Sequence, residues 1–333
     1  MTVMPPEWAP QDRVWMAYPA PGYSLGDTAE EQHEARTTWA AVANAITAFE
    51  PVTVVVDPAE VMAARRYLSE AVEIVEAPLD DAWMRDIGPT FVHAADGSVA
   101  GVDWVFNGWG QCDWASWGND ELIGAFVCGR AGVPRIASPM VNEGGGIHVD
   151  GAGTVLVTET VQLGQGRNED WTREQVEAEL ARTIGATDVV WLPRGLARDY
   201  ERYGTRGHVD IVATFTAPGR ALLHSQRDDA HPDAAVTREL RSLLAERFEV
   251  VELPAPATLR DAEGFVDWSY VNHLVVNDGV IACSFDDPHD ADALAILREA
   301  YPGREVVAID ARPLFDRGGG VHCITQQQPS ART

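Results

Sequence analysis

Four short segments combine cysteine, histidine or carboxylate side chains with glycines, and they contain the residues best suited to catalysis. They are residues 81–89 (DAWMRDIGP), 142–146 (NEGGG), 207–210 (GHVD) and 318–323 (GGGVHC). Glycine lets the backbone approach a ligand closely and adopt a positive φ angle. We therefore expect these four segments to meet at one site.

Cys323 is the candidate nucleophile of this site. A thiol attacks as its thiolate, so it needs neighbouring groups that promote ionisation. His208 could move protons near neutral pH, and Glu143 could hold and charge the His208 imidazole. Together the three side chains indicate cysteine-dependent catalysis.

Asp86 and Asp210 narrow the substrate class. A strand predicted over residues 208–215 would place His208 and Asp210 on one face. A cysteine amidase has no need for two further carboxylates. A planar guanidinium does, because its paired N–H groups match carboxylate oxygens and its charge must be neutralised in a dry site. The residues therefore predict a small cationic guanidino substrate.

Several neighbouring residues allow two interpretations. Trp83 and Trp109 could stack on a guanidinium or on the substrate stem by cation–π contacts worth about 0.5–2 kcal/mol, or they could be core residues. Asp86 could instead form a structural salt bridge. We expect His148 and His322 to contribute packing or hydrogen bonds rather than chemistry.

The composition excludes several classes of function. The 333 residues include 51 acidic and 25 basic side chains, giving a formal net charge of -26, and every one of the basic residues is arginine. The absence of lysine excludes a lysine Schiff base, lysine-dependent pyridoxal phosphate chemistry and a P-loop. The acidic surplus argues against nucleic acid and anionic membranes as partners, and it would favour a cationic ligand.

The cysteines and the start of the chain indicate the compartment. Cys112, Cys128, Cys283 and Cys323 have no paired short spacing, so we expect free thiols rather than a zinc knot or a disulfide framework. Residues 1–10 lack the basic and apolar parts of a secretory signal, and no apolar run reaches the length needed to cross a bilayer. These features predict a cytoplasmic protein.

The elements that must hold the four segments form a mixed α/β pattern. Apolar residues recur at helical spacing over residues 30–49, and a β-branched run predicts a strand over residues 52–56. Pro58 then opens a predicted helix over residues 59–70.

Two units with the order strand, strand, helix, strand follow nearer the C-terminus. The first is predicted at residues 208–215, 221–224, 234–246 and 249–253, and the second at residues 270–276, 280–284, 290–300 and 305–309. Residues 277–279 (NDG) are a strong hairpin signal. The earlier half shows a weaker version, with strands over 89–93 and 99–105 and a helix near 121–129. No linker divides the chain, so residues 1–333 are predicted to form a single catalytic domain.

In their order along the chain and in their residues, these segments resemble the agmatine deiminase family (bacterial-type peptidylarginine deiminases) of the guanidino-modifying, amidinotransferase-like superfamily. The matching segments are residues 4–10 (MPPEWAP), 14–19 (VWMAYP), 81–90 (DAWMRDIGPT), 106–110 (FNGWG), 143–151 (EGGGIHVDG), 191–195 (WLPRG) and 319–329 (GGVHCITQQQP). They span essentially the whole chain. Such an ordered set is far more specific than one glycine-flanked cysteine.

The resemblance implies a fivefold pseudosymmetric α/β propeller of ββαβ units. It implies Cys323 as the nucleophile, His208 as the general acid and base, Glu143 as the residue that orients the site, and Asp86 and Asp210 as the holders of the guanidinium nitrogens. The implied reaction converts agmatine to N-carbamoylputrescine and ammonia through a covalent S-alkylthiouronium, without a metal or organic cofactor. A homodimer is a common outcome in this family.

Three segments depart from the family's pattern and leave the substrate open. Arg206 immediately precedes Gly207, His273 stands where the family has phenylalanine, and residues 164–169 differ in wording. We expect all three to lie at the far end of the substrate, where an arginine could accept a carboxylate. The alternatives are therefore a deiminase or amidinotransferase acting on arginine or another guanidino compound, a non-catalytic guanidine-binding protein, and a general cysteine amidase.

Overall fold

The strands of the computed structural model, which describes residues 2–332, form five small sheets. In chain order the strands are β1 (Gln11–Ala17), β2 (Val52–Val56), β3 (Glu73–Glu76), β4 (Thr90–His93), β5 (Val99–Val105), β6 (Arg135–Val141), β7 (Ile147–Val149), β8 (Thr154–Thr158), β9 (Asp188–Leu192), β10 (Ala213–Ala217), β11 (Arg220–Ser225), β12 (Glu249–Pro254), β13 (Leu274–Val276), β14 (Gly279–Ser284), β15 (Glu305–Asp310) and β16 (Thr325–Pro329). The sheet orders are β16-β1-β2-β3, β4-β5-β6, β7-β8-β9, β10-β11-β12 and β13-β14-β15.

Helices lie between the strands along the chain. In chain order they are α1 (Ala29–Ile46), α2 (Val61–Tyr67), α3 (Met84–Ile87), α4 (Gly108–Gln111), α5 (Ile123–Ala131), α6 (Glu159–Gln162), α7 (Arg173–Ile184), α8 (Asp233–Ala245), α9 (Asp290–Ala300) and α10 (Arg312–Phe315). Every sheet contains one antiparallel pair followed by a parallel pair whose strands are connected by a longer helix (α1, α5, α7, α8 or α9), and the first sheet adds β3 parallel to β2. The predicted ββαβ unit therefore occurs five times.

The first sheet is built from both ends of the chain. β16 pairs antiparallel with β1, with Gln11 opposite Pro329, and β2 then pairs parallel with β1. This arrangement confirms the predicted fivefold pseudosymmetric α/β propeller. The weak pattern in the earlier half of the sequence corresponds to complete units.

Capping and burial explain where the first helix lies. Thr28 and Glu31 form a capping box at the start of α1, and Trp39 and Ile46 are buried. The helices predicted over residues 30–49 and 59–70 were too long at their C-terminal ends. Apolar residues such as Phe49 still pack on the core beyond the last helical turn, and they extend the periodic pattern past the helix.

Two predicted strands begin later than expected. Residues 209–211 form a 3-10 turn, and β10 starts only at Ala213; residues 270–273 likewise precede β13. Strand alternation therefore does not place His208 and Asp210 on one face, and that prediction was wrong. Because Val209 and Ile211 are buried in the turn, their hydrophobicity imitates that of a strand.

A short polar segment precedes the first strand of every sheet, at an equivalent position in each unit. These segments are α3 before β4, residues 143–146 before β7, residues 208–211 before β10, residues 269–273 before β13 and residues 318–323 before β16. The fivefold repeat thus supplies the predicted site from five points of the chain.

No helix among residues 2–332 is both long and apolar enough to cross a membrane. The single catalytic domain over residues 1–333 stays a prediction, and its two terminal residues lie outside the described range.

Candidate active site

Cys323 lies in a small cavity with aromatic walls. The cavity is lined by Tyr23, Trp83, Asp86, Trp109, Trp114, Tyr203, Thr205, Gly318 and Cys323. Cys323 is only 6% exposed. The structure therefore brings four of the seven predicted site residues to the cavity wall, and the other three lie directly behind it, as the contacts below show.

Carboxylates lie close to the Cys323 thiol. The thiol donates to Asp210 Oδ2 at 3.5 Å and accepts from Asn272 Nδ2 at 3.2 Å. Burial, together with the negative charges of Asp210 and Asp86, raises the pKa of this thiol well above its ordinary value. The thiol is therefore neutral in this environment.

Asp86 is held by neutral donors. Its Oδ2 accepts from Trp109 Nε1 at 2.8 Å, and its Oδ1 accepts from the Gly145 amide at 3.0 Å. Burial raises its pKa, with help from Asp210 and Glu143, although the His208 charge opposes the shift. Among residues 2–332 Asp86 pairs with no arginine, so the structural salt bridge considered above does not form.

His208 lies between two carboxylates without tight contact to either. Its Nε2 is 3.4 Å from Glu143 Oε2, and its Nδ1 is 3.9 Å from Asp86 Oδ2. Nδ1 has no hydrogen-bond partner in the described part of the chain. Burial lowers the His208 pKa, but Asp86 and Glu143 outweigh that effect and raise it to about 9. The ring is thus an imidazolium at neutral pH.

Glu143 is compensated by an arginine that the sequence interpretation missed. Arg167 Nε donates to both Glu143 oxygens at 3.0 Å, and both side chains are fully buried. Despite burial, Arg167 and His208 lower the Glu143 pKa to about 2. Arg167 lies in residues 164–169, where the sequence departs from the family's pattern. That departure was the one sequence signal that could have pointed to Arg167.

Asp210 has one oxygen engaged and one free. Its Oδ2 lies 2.8 Å from His322 Nδ1, while its Oδ1 has no hydrogen-bond partner among residues 2–332. Burial would raise the Asp210 pKa, but the hydrogen bond and charge of His322 lower it. Asn272, which touches both Cys323 and the Asp210 carbonyl, was not singled out from the sequence.

The glycine runs are required by close approach. A Cβ atom on Gly145 would lie 2.4 Å from His208 Nδ1, and one on Gly319 would lie 3.0 Å from Cys323 Sγ and 2.7 Å from the Trp83 ring. Side chains at these positions would displace His208 and Cys323. Glycine at these two positions thus permits the close approach expected from the sequence.

Asp199 fixes the backbone that carries His208. Its carboxylate accepts from the amides of Thr205, Gly207 and His208 at 2.6, 2.5 and 3.1 Å. Tyr203, in the same loop, adopts a left-handed φ of 68°. The loop therefore joins the His208 position to the aromatic cover of the cavity.

Trp83 and Trp109 line the cavity and are also part of the hydrophobic core. Each is at most 3% exposed. Trp83 Nε1 donates to Tyr23 OH at 2.7 Å, and Tyr23 stacks on Tyr203 with ring centroids 4.7 Å apart. Trp114 stacks on Trp109 at 5.1 Å. Aromatic side chains thus surround the cavity, and such rings attract cations.

Arg206 and His273, two positions where the sequence departs from the family's pattern, lie in different parts of the structure. Arg206 lines an outer cleft beside the cavity, but its Nη1 donates to the carbonyls of Gln165 at 2.9 Å and Gly110 at 3.2 Å. His273 is buried, and its ring contacts Tyr270 O at 3.1 Å and Tyr301 OH at 2.9 Å. The expectation that His273 lies near the far end of the substrate was wrong, because a buried polar ring satisfied by its own neighbours reaches no cavity.

Within residues 2–332 no group of three or more histidine, cysteine, aspartate or glutamate side chains is arranged to hold a metal ion.

Comparisons with known proteins agree on one family. Residues 3–329 match the family model described as Porphyromonas-type peptidyl-arginine deiminase. A relative from Streptomyces coelicolor is 55% identical over 334 residues and covers 98% of each chain. The agmatine deiminase of Pseudomonas putida is 41% identical over 359 residues, covering 98% of this chain and 95% of its own. The solved agmatine deiminase of Enterococcus faecalis superposes with a TM-score of 0.91 at 32% identity, over 99% of this chain and 96% of that one.

Proposed function

Since this chain belongs to the agmatine deiminase family within the Porphyromonas-type peptidyl-arginine deiminases, we propose that it hydrolyses agmatine to N-carbamoylputrescine and ammonia. The family relationship makes it a hydrolase of carbon–nitrogen bonds in linear amidines. One observation carries the mechanism: the Cys323 thiol lies beside Asp210 in a cavity that it shares with Asp86, with His208 behind them.

Substrate binding and thiol ionisation are coupled. A guanidinium placed between Asp86 and Asp210 would donate to the free Asp210 Oδ1 and cancel the negative field that raises the Cys323 pKa. The thiol then loses its proton to solvent as the cation binds. The nucleophile is thus generated only when its target is present.

The first chemical step forms the covalent intermediate. The Cys323 thiolate attacks the guanidinium carbon, and the His208 imidazolium gives its proton to the departing nitrogen, which leaves as ammonia. The product of this step is a cationic S-alkylthiouronium on Cys323 with neutral His208 beside it. A His208 pKa of about 9 suits the ring to begin the cycle as the acid.

The second step hydrolyses the intermediate. Neutral His208 takes a proton from water, and the resulting hydroxide adds to the thiouronium carbon. Collapse expels the sulfur, which takes up the hydroxyl proton, and releases the ureido product. Cys323 and His208 return to their starting protonation states.

The position of Arg206 favours agmatine over arginine. Because its Nη1 is bonded to the carbonyls of Gln165 and Gly110, the guanidinium is already used to hold two loops together. A substrate carboxylate could meet only the remaining N–H groups of Arg206, whose direction these bonds fix. Agmatine, which lacks a carboxylate, makes no such demand.

The experiment is a panel of agmatine, arginine and other guanidino compounds, scored for ureido product and ammonia with wild type and Cys323→Ala. We expect turnover of agmatine by wild type and none by the variant. Cys128→Ala is the matched control, because this thiol is buried at the carbonyl of Gly101 away from the cavity, and it keeps activity.

Each alternative function predicts a different outcome of the panel. Ammonia released without an added amine acceptor argues against an amidinotransferase, and binding of agmatine without turnover would indicate a non-catalytic binding protein. Hydrolysis of simple amides would indicate a general cysteine amidase. Full activity of Cys323→Ala would refute the mechanism. The cytoplasmic location and the homodimer stay predictions.

A further inference from the structure

His322, the residue before the proposed nucleophile, is held between two carboxylates. Its Nδ1 lies 2.8 Å from Asp210 Oδ2 and its Nε2 lies 2.7 Å from Glu7 Oε1. All three residues are at least 95% buried, and Glu7 comes from the far N-terminal end of the chain. His322 does not line the cavity around Cys323.

The two short contacts define the protonation state of this ring. An ionised carboxylate can only accept hydrogen bonds, so each ring nitrogen of His322 must donate, and that requires the imidazolium. Burial and the Arg85 guanidinium lower the His322 pKa, but Glu7 and Asp210 outweigh them and raise it above its ordinary value. Despite burial, the charge of His322 also holds the Glu7 pKa well below its usual range.

We propose that His322 is a positioning residue: as a permanent imidazolium it fixes Asp210 and keeps it ionised, so that Asp210 Oδ1 is free to receive the substrate guanidinium. This inference rests on the proposed role of Asp210 in substrate binding. Since both ring nitrogens face carboxylates, His322 has no nitrogen left to protonate the leaving group. Its role is therefore distinct from that of His208.

The charges around Asp210 explain why such a cation is needed. Asp86 on α3 faces the same cavity as Cys323, and its negative charge disfavours a second carboxylate charge nearby. Arg85 and His208 favour ionisation of Asp210, but neither forms a hydrogen bond to it. Without His322, burial beside Asp86 would raise the Asp210 pKa, and a protonated carboxyl cannot neutralise a guanidinium.

Charged groups around His322 support the same arrangement. Arg85 Nη1 lies 3.7 Å from Glu7 Oε1, and His148 Nε2 lies 3.7 Å from Glu7 Oε2. His273 faces the cluster as a neutral ring, since burial lowers its pKa to about 4. Glu7 therefore retains a compensated negative charge, and it stabilises the His322 cation from the side opposite Asp210.

The test compares His322→Gln with wild type by measuring the KM for agmatine between pH 6 and 9. Glutamine can donate one hydrogen bond but carries no charge. We expect the ratio of variant to wild-type KM to be about 10 to 100 at pH 6 and to fall as the pH rises and Asp210 ionises, with a smaller effect on kcat. A ratio that does not change with pH would overturn the proposal, because a purely structural defect raises KM equally at every pH.

A matched control is His224→Gln. His224 is equally buried, but it contacts the Ser269 hydroxyl instead of a carboxylate, and burial lowers its pKa to about 3. We expect no pH-dependent change in its KM ratio. The same pH-dependent ratio in both variants would contradict the assignment to His322.

A second measurement requires neither catalytic activity nor a change in the protonation of Asp210. In protein labelled with ¹⁵N-histidine, both ring nitrogens of His322, assigned by their loss in the variant or by their coupling to the Cys323 backbone, should show imidazolium shifts up to pH 8. Shifts of a neutral tautomer at pH 7 would overturn the proposal even if the variant fails to fold. If agmatine is not hydrolysed, the proposed function fails, whereas the shifts still decide the state of His322.

Discussion

His208 and His322 are both buried imidazoles between two carboxylates, but their ring nitrogens are used differently. The contacts of His322 measure 2.8 and 2.7 Å and occupy both nitrogens. The nearest carboxylate oxygens to His208 lie at 3.4 and 3.9 Å, and its Nδ1 has no partner within residues 2–332. A ring with a free nitrogen can take up and release a proton, whereas a ring held on both sides acts as a fixed charge.

The arginine behind each histidine explains this difference. Glu143 has Arg167 as its tight partner at 3.0 Å, and His208 is therefore not needed to neutralise it. Arg85 lies 3.7 Å from Glu7, so the tight partner of Glu7 is His322. The cation that satisfies the glutamate thus decides which histidine remains available for chemistry.

The largest expected effect separates the two rings by kinetic parameter. His208→Gln removes the proposed general acid and base, so kcat should fall about 10²- to 10⁴-fold while KM changes little. His322→Gln should act mainly on KM, as argued above. Steady-state kinetics with agmatine measures both. An equal reduction of kcat in both variants would contradict the different roles of the two rings.

The sequence predicted the His208 side of this comparison and not the His322 side. Cys323, His208 and the three predicted carboxylates lie in glycine-flanked segments, and the repeat places those segments before the first strand of their sheets. The proposed role of His322 depends on Glu7, which lies 315 positions away. Glu7 belongs to the segment 4–10 that resembles the family, but nothing in that segment pairs it with His322. Such a pairing arises only once β16 has closed onto β1.

The local backbone geometry near His208 could not be predicted from the sequence either. Buried apolar residues at 209 and 211 fit a strand and a 3-10 turn equally well, so periodicity could not decide between them. The structure nevertheless gathers His208 and Asp210 at the same site, by way of the turn. The chemistry of the motif was more informative than its secondary structure.

Arg167→Met is expected to have the next largest effect, because it removes the tight partner of Glu143. Breaking a fully buried ion pair from one side leaves an uncompensated charge and costs about 3–5 kcal/mol of unfolding free energy. Glu143 should then draw the His208 imidazolium into a tight contact and lower kcat. Urea unfolding and kinetics measure the two effects.

The matched control for this variant is Arg194→Met, whose partner Glu239 is exposed to a similar degree as Arg194 itself, at 43% and 48%. Its loss should cost at most about 1 kcal/mol. An equal loss in both variants would show that burial of the Arg167 pair contributes nothing.

The pH dependence of stability isolates the His208 charge. Its folded pKa of about 9 lies above the ordinary value of 6.5, so its contribution is fully present below pH 6.5 and is lost as the pH rises through 9. The shift corresponds to about 3 kcal/mol. The difference in unfolding free energy between wild type and His208→Gln should shrink by that order between pH 6.5 and 9.5. A difference that stays constant over this range would contradict the charged state of His208.

His273 extends the comparison to a buried histidine without a carboxylate, and His273→Phe should have the smallest effect. At pH 8 the Tyr301 hydroxyl loses its partner, which should cost about 1 kcal/mol of unfolding free energy, and kcat and KM for agmatine should not change because the ring reaches no cavity. Its pKa is lowered to about 4, so the native histidine contributes stability above pH 6.5 that is lost as the pH falls through 4. The phenylalanine variant should therefore lose less stability than wild type on acidification, as urea unfolding at pH 8 and pH 5 measures. A changed preference between agmatine and arginine would instead return His273 to the substrate site.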